Sequence, residues 1–130
     1  KLTRQLHLEE RVHLLGYRTD IPDMLGAADI FCMPSRREGC GMAALEAMAA
    51  GLPLITVRSH GTKTYAEKGE SGFCLKGDLV TSCADAIEQL ADNKLLRRQM
   101  GARNRAAAAA FSDADRMMLL RGYYQKALGD

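Results

Sequence analysis

Two short apolar runs, Ile30 to Met33 and Leu54 to Val57, are joined by residues 34–53, and that segment limits what the chain can fold into. It begins with a Pro34-Ser35 stop, passes through the glycine-bearing loop Glu38-Gly39-Cys40-Gly41, and continues as a helix from about Gly41 to Ala50. Gly51 supplies a C-terminal stop and Pro53 prevents continuation. A connection of this length carrying a helix is what parallel strands need, because a hairpin cannot join them. Both runs are near-continuously apolar rather than alternating. That suits parallel strands, which are buried on both faces.

The rest of the chain extends this unit. Val12 to Leu15 is a further strand candidate, ended by Gly16 and preceded by the tail of a helix. DIPDMLGAAD places Ile21, Met24, Leu25 and Ala28 at helical spacing, with Asp20 as N-cap and Pro22 in the first turn. Phe73 to Leu75 is a brief fourth strand. TSCADAIEQLAD then puts Cys83, Ala84, Ile87, Leu90 and Ala91 on one helix face. Further helices are expected over about 94–110 and, with Ser112 as N-cap, over about 112–128. Residues 59–72 read as a polar connection with room for one short helix. The expected class is α/β: a Rossmann-like parallel sheet with flanking helices.

At 130 residues the length fits one domain, and a net charge of +2 excludes nucleic acid as the expected partner. The basic cluster in KLLRRQMGARNR reads as a solvated helix face. No apolar run reaches the length of a membrane span, and there is no signal peptide. Cys32, Cys40, Cys74 and Cys83 lack metal-ligand spacing, so reduced, mostly buried thiols in a cytoplasmic protein are expected. The chain starts at Lys1 without a methionine and reads as a piece of something longer.

The loop before the central helix carries the chemistry. Ligands of open parallel sheets bind outside the carboxyl ends of the strands, and this loop sits at such an end. The helix N-terminus offers unsatisfied N–H groups and a partial positive charge. Gly39 and Gly41 let an anion approach the backbone. Glu46 lies about 7 Å up the helix axis, and its side chain leans back toward the N-terminus. There it could accept hydrogen bonds from paired ribose hydroxyls, while Glu38 on the loop faces a sugar. A nucleoside diphosphate sugar has all three features in line. The same residues also admit a plain turn, a surface glutamate on the helix, and a loop glutamate that merely complements the helix dipole.

PSRREGCGMAALEAMAAGLPLI resembles the signature of retaining glycosyltransferases of the GT-B fold, often called group 1 or family 4, with its two glutamates separated by seven residues. GYRTDIPDMLGAADIFCMPS, GESGFCLKGD and LLRRQMGARNR resemble further segments of that family, in the same order. The resemblance implies that residues 1–130 form part of a C-terminal donor-binding domain, with the first strands and the N-terminal acceptor domain missing. Glu38 would be catalytic, contacting the donor sugar near the reacting centre. The backbone of Gly39, Cys40, Gly41 and Met42 would hold sugar and phosphate oxygens. Glu46 would hold the ribose, and Gly16, Tyr17 and Arg18 would lie near the base. No cofactor or bound metal is implied. The donor would be a UDP-sugar ahead of a GDP-sugar, and the acceptor a glycan or lipid-linked molecule.

Departures from the family pattern are visible. The expected diphosphate-binding Arg and Lys fall outside the chain, and neither Arg36 nor Arg37 takes that role. A segment usually ending in Glu reads His60-Gly61-Thr62-Lys63-Thr64, and Cys40 replaces a common Phe. His60 is a candidate base only in the sharpest reading, and Cys40 a nucleophile only in the same sense. The expectations are therefore a sugar transferase working in polysaccharide or glycoconjugate synthesis, cytoplasmic or peripheral to the inner face of a membrane. Residues 1–130 alone would be inactive and prone to self-association. A non-catalytic sugar-nucleotide-binding module and a GT-B-type sugar-nucleotide epimerase are the alternatives.

Overall fold

The computed structural model describes residues 1–57, 62 and 71–111. The expectations for the helix at 112–128, for His60 and Thr64, and for most of the polar connection lie outside these. In chain order the described elements are α1 (Leu2–Gln5), α2 (Ile21–Ala27), β1 (Phe31–Met33), α3 (Met42–Ala50), β2 (Leu54–Val57), β3 (Gly72–Leu75), α4 (Leu79–Asp92) and α5 (Lys94–Ala109). Among the described residues the strands form one sheet of order β1-β2-β3. Both pairings are parallel: Cys32 lies opposite Ile55, and Ile55 opposite Phe73. The α/β expectation is met.

Strand β2 is the centre of the molecule. Leu54, Ile55 and Thr56 are all at most 1% exposed, as a strand buried on both faces must be. Its side chains alternate between two cores. Leu54 joins Ala44, Leu45, Ala47 and Met48 of α3, with Phe31 and Met33 packed alongside. Ile55 joins Leu75 and the α4 residues Ala86 and Leu90, with Met100 of α5. Helices α3 and α4 thus cover opposite faces of the sheet.

The helix ends follow local chemistry. Gly51 adopts the left-handed conformation (φ 82°) that glycine takes without strain. Its N–H donates to Met48 O at 2.9 Å and the Leu52 N–H to Ala47 O at 3.0 Å, which closes α3 in a Schellman motif. Asp78 caps α4 by accepting from the Val80 N–H at 3.1 Å, and Asn93 caps α5 by accepting from the Leu96 N–H at 2.9 Å.

Four expectations need correction. Val12 to Leu15 is not a strand: the run has no ladder partner among the described residues, and Leu14 is 89% exposed. Apolar character alone cannot hold extended geometry without hydrogen-bonded neighbours. The buried face of α4 runs through Ala86 and Leu90, flanked by Leu79 and Cys83, whereas Ala84, Ile87 and Ala91 face outward. The basic stretch is not simply a solvated face. Arg97 donates to the carbonyls of Leu90 and Ala91 at the C-terminus of α4 and pairs with Asp29 at 3.5 Å, while Arg105 donates to Ala50 O at 2.8 Å. These cations meet the negative ends of helix dipoles. Finally, the thiols form no disulfide but are not mostly buried: Cys32 and Cys40 are exposed, Cys74 and Cys83 half-buried.

Candidate functional site

Strand β1 delivers the chain through Pro34 and Ser35 into the loop that carries Glu38, Gly39 and Cys40. Glu38 is half-buried, and Gly39 and Cys40 are exposed. Among the described residues, a Cβ added at Gly39 would meet no atom within 4 Å beyond its chain neighbours. No described residue therefore packs against the Gly39 backbone there. Gly41 is buried and left-handed (φ 68°, ψ 49°), which turns the loop into α3. As N-cap it brings no side chain to the helix end. The first helical hydrogen bond runs from the Ala44 N–H to Gly41 O at 2.9 Å. The amides of Met42 and Ala43 precede it at the positive end of the dipole.

Glu46, one turn further on, is exposed. It stands on a ridge between two largely apolar grooves. The groove of about 500 Å³ between α2 and α3 is walled by Ile21, Pro22, Leu25, Gly26, Ala49 and Ala50. The other, of about 470 Å³ between α3 and α5, includes Met42, Arg105 and Phe111. Glu38 walls neither groove. The structure thus brings Gly41, Met42 and Glu46 together on one helix and leads Glu38, Gly39 and Cys40 directly into it.

Gly16, Tyr17 and Arg18 precede α2 and line neither groove. Gly16 is left-handed (φ 65°) and Tyr17 is 93% exposed. Arg18 Nε donates to Asp20 Oδ1 at 2.8 Å, and a second guanidinium nitrogen pairs with Oδ2. The guanidinium holds the Asp20 carboxyl below its ordinary range. Asp20 is the N-cap position of α2, but its side chain makes no cap hydrogen bond because Arg18 engages it. The pair tethers the loop to the start of α2, whose residues Ile21 and Pro22 face Glu46 across the groove.

A sequence profile for the family described as glycosyl transferases group 1 matches residues 1–107. The chain belongs to the group 1 glycosyl transferases. It is 37% identical over 106 residues to the N-acetyl-alpha-D-glucosaminyl L-malate synthase of Bacillus anthracis, covering 81% of this chain and 28% of that protein. It is 36% identical over 91 residues to the UDP-Gal:alpha-D-GlcNAc-diphosphoundecaprenol alpha-1,3-galactosyltransferase of Escherichia coli, covering 70% and 24%. Among solved structures it is similar to Anabaena HepE, determined in complex with UDP and glucose. The TM-score is 0.85 at 25% identity, covering 96% of this chain and 34% of that one. The chain spans about a quarter of the length of the two curated relatives.

Within this group 1 chain, sequence reasoning missed three features. The first is the α2 wall of the groove, which helical spacing alone does not reveal. Its signal was the apolar pair Ile21 and Leu25, spaced i, i+4 beside a partner helix with only alanines to offer at Ala49 and Ala50. Thr56 was passed over as one more β-branched strand residue. Its hydroxyl is buried without a partner among the described residues, two positions along the α3 face of β2 from Leu54. Asn104 falls in the basic stretch expected to be a solvated helix face. It is fully buried, donating to Leu52 O at 2.6 Å and Ser71 O at 2.8 Å, and so ties the end of α3 and the start of β3 to α5. Among the described residues there is no group of three or more His, Cys, Asp and Glu placed to hold a metal ion. No described helix is long and apolar enough to cross a membrane.

Proposed function

We propose that this chain is the donor-binding part of a glycosyltransferase that moves a sugar from a nucleoside diphosphate sugar to an acceptor with retention of configuration. The observation that carries the reading is the α3 N-terminus. A left-handed glycine ends an exposed loop beside an open backbone at Gly39, and the amides of Met42 and Ala43 precede the first helical bond. Such a terminus accepts a diphosphate. As the nucleoside diphosphate departs, negative charge grows on its oxygens. Amides of Gly39, Cys40, Gly41 and Met42 stabilise that charge without reorganising, which is electrostatic catalysis. Glu38 accepts hydrogen bonds from donor-sugar hydroxyls near the reacting carbon. Glu46, beside the groove that α2 walls, accepts from the ribose hydroxyls, and Gly16, Tyr17 and Arg18 lie toward the base.

UDP is the nucleotide this reading favours, supported by the UDP in the HepE structure and the UDP-Gal in the name of the Escherichia coli relative. The same relative's name contains a diphosphoundecaprenol acceptor, which supports a lipid-linked or glycan acceptor and a role in polysaccharide or glycoconjugate synthesis. The relatives are several times longer than this chain, which supports the reading that residues 1–130 by themselves transfer no sugar. The exposed apolar residues Val12, Leu14 and Leu15 support self-association of the isolated chain, which light scattering would register as a mass above the monomer.

The test is calorimetric titration with UDP and UDP-sugars of the full-length protein to which this reading assigns the chain, with Glu46→Ala beside it. Losing hydrogen bonds to a charged acceptor should weaken binding by about 1.5–3 kcal/mol. Equal affinity of the two proteins for UDP would remove Glu46 from the site. Binding without transfer to any acceptor would favour a non-catalytic module, and interconversion of the free UDP-sugar would favour an epimerase. A transfer assay on residues 1–130 alone should give no product.

A further inference from the structure

Cys32 Sγ and Cys83 Sγ lie 3.5 Å apart, although 51 positions separate them in the chain. The fold itself makes this meeting. Cys32 lies on β1 opposite Ile55, and Ile55 belongs to the core under α4. Cys83 projects from the first half of α4 and packs against that same core. The other two thiols are excluded by topology. Cys74 lies opposite Thr56, on the register that faces α3, and Cys40 sits in the loop ahead of α3. Both members of the close pair are reduced, and Cys32 is exposed. A disulfide needs its sulfurs at about 2.05 Å, so a side-chain adjustment of roughly 1.5 Å closes the gap.

We propose that Cys32 and Cys83 form a dithiol site that is oxidised by low-molecular-weight disulfides. One protein thiolate attacks a sulfur of the small disulfide, forming a mixed disulfide and releasing one small thiolate. The neighbouring thiol gives its proton to solvent and attacks the protein-bound sulfur, which joins Cys32 to Cys83 and expels the second small thiolate. The protein loses two electrons and two protons, and one small disulfide becomes two small thiols. Burial, together with the adjacent Cys83, pushes the Cys32 thiol up to about 11, so little of it is thiolate at neutral pH and attack through Cys32 is slow. The bridge ties β1, the strand that leads into loop 34–41, to α4 on the opposite side of the sheet from α3. It does not depend on what the loop binds.

The experiment is incubation of the folded 130-residue chain with oxidised glutathione, followed by acid quench, thiol titration and peptide mapping. The expected product has lost two hydrogens in mass. It shows two titratable thiols in place of the original four, with the linkage mapped to Cys32 and Cys83. Its melting temperature rises by about 10 °C, because the bridge closes a long loop in the unfolded chain. Cys32→Ser and Cys83→Ser each yield a stable glutathione adduct and no internal bridge, while Cys40→Ser and Cys74→Ser leave the bridge intact. Four surviving thiols, adducts without an internal bridge, or linkage through Cys40 or Cys74 would each overturn the proposal. The mapping on the unsubstituted chain decides the matter even if a serine variant fails to fold.

Discussion

Helices α3 and α4 cover opposite faces of one three-stranded sheet, yet they are built on different plans. Helix α3 is apolar nearly all round and is held on three sides. Ala44, Ala47 and Met48 are fully buried between the sheet and neighbours α2 and α5, leaving Met42, Ala43, Glu46 and Ala49 exposed. Helix α4 is strongly two-faced. It buries Ala86 and Leu90 and presents Asp85, Glu88, Gln89 and Asp92 to solvent. A helix that buries several faces cannot rock, and α3 is the one whose N-terminus forms the candidate site. The far end of α3 is fastened as well, by Arg105 on Ala50 O, Asn104 on Leu52 O and the close approach of Gly101 to Gly51. These contacts are thus concentrated on the helix that carries the candidate site.

The largest test of this contrast is a pair of truncations. Met48→Ala empties a fully buried position of α3 and should cost about 3 kcal/mol by urea denaturation. Ile87→Ala on α4 trims a side chain that is already 42% exposed and should cost under about 1 kcal/mol. Equal losses would mean that the two faces are stabilised alike and that the contrast is only one of composition.

Next is Gly101→Ala, where two effects oppose. Alanine in a helix interior gains about 1 kcal/mol over glycine by propensity. Its Cβ would, however, lie 2.1 Å from Gly51 O, a backbone atom with little room to retreat. Overpacking should win, with a net loss of about 2 kcal/mol and a lowered melting temperature. A stabilised variant would show that α5 can slide away from α3 and does not clamp it.

A smaller effect is expected where α4 hands over to α5. Asn93→Ala removes the acceptor of the Leu96 N–H and should cost about 1 kcal/mol in the same denaturation assay. Amide exchange should quicken in the first turn of α5 while α3 stays protected. Faster exchange in α3 would show that the two helices open as one unit.

These differences mark what could be read before the coordinates. Helix α3 was legible almost to the residue, because Gly41 and the Gly51–Pro53 pair bracket it with chemistry that acts locally. The adjacency of Glu38, the glycine loop and Glu46 followed directly, since it depends only on a loop entering a helix. The strand at Val12 to Leu15 failed because an apolar run does not reveal whether a neighbour exists to pair with it. The phase of α4 slipped because its start was placed at Thr81, whereas Asp78 caps it and Leu79 begins the buried stripe. Arg97 was misjudged because its partners are carbonyls of the preceding helix, reached only once the chain turns at Asn93. The grooves flanking Glu46 were invisible for the same reason: each needs two helices at a defined approach, and spacing within one helix does not fix that.

The smallest effect concerns acid. Asp78 accepts from the Thr81 hydroxyl at 2.7 Å and from the Val80 N–H, and these bonds hold its carboxyl below the ordinary aspartate value. A pKa lowered on folding means that the carboxylate stabilises the folded chain above about pH 4, where the unfolded group is also ionised. That contribution fades as pH falls through the lower folded value, when the proton enters and the cap weakens. The group is fully solvated, so the effect is small and salt reduces it. Asp78→Asn keeps a side-chain acceptor for the Val80 amide but cannot titrate. The wild-type chain should therefore be more resistant to urea than the variant at pH 5, and the gap should narrow as pH falls through the carboxylate range. The melting of α4, followed by amide exchange, should shift with it, while α3, whose N-cap is a glycine, should not respond to Asp78 at all. An unchanged gap across that range would mean that the cap owes nothing to charge, and a parallel response in α3 would mean that the two faces of the sheet are coupled more tightly than their separate cores imply.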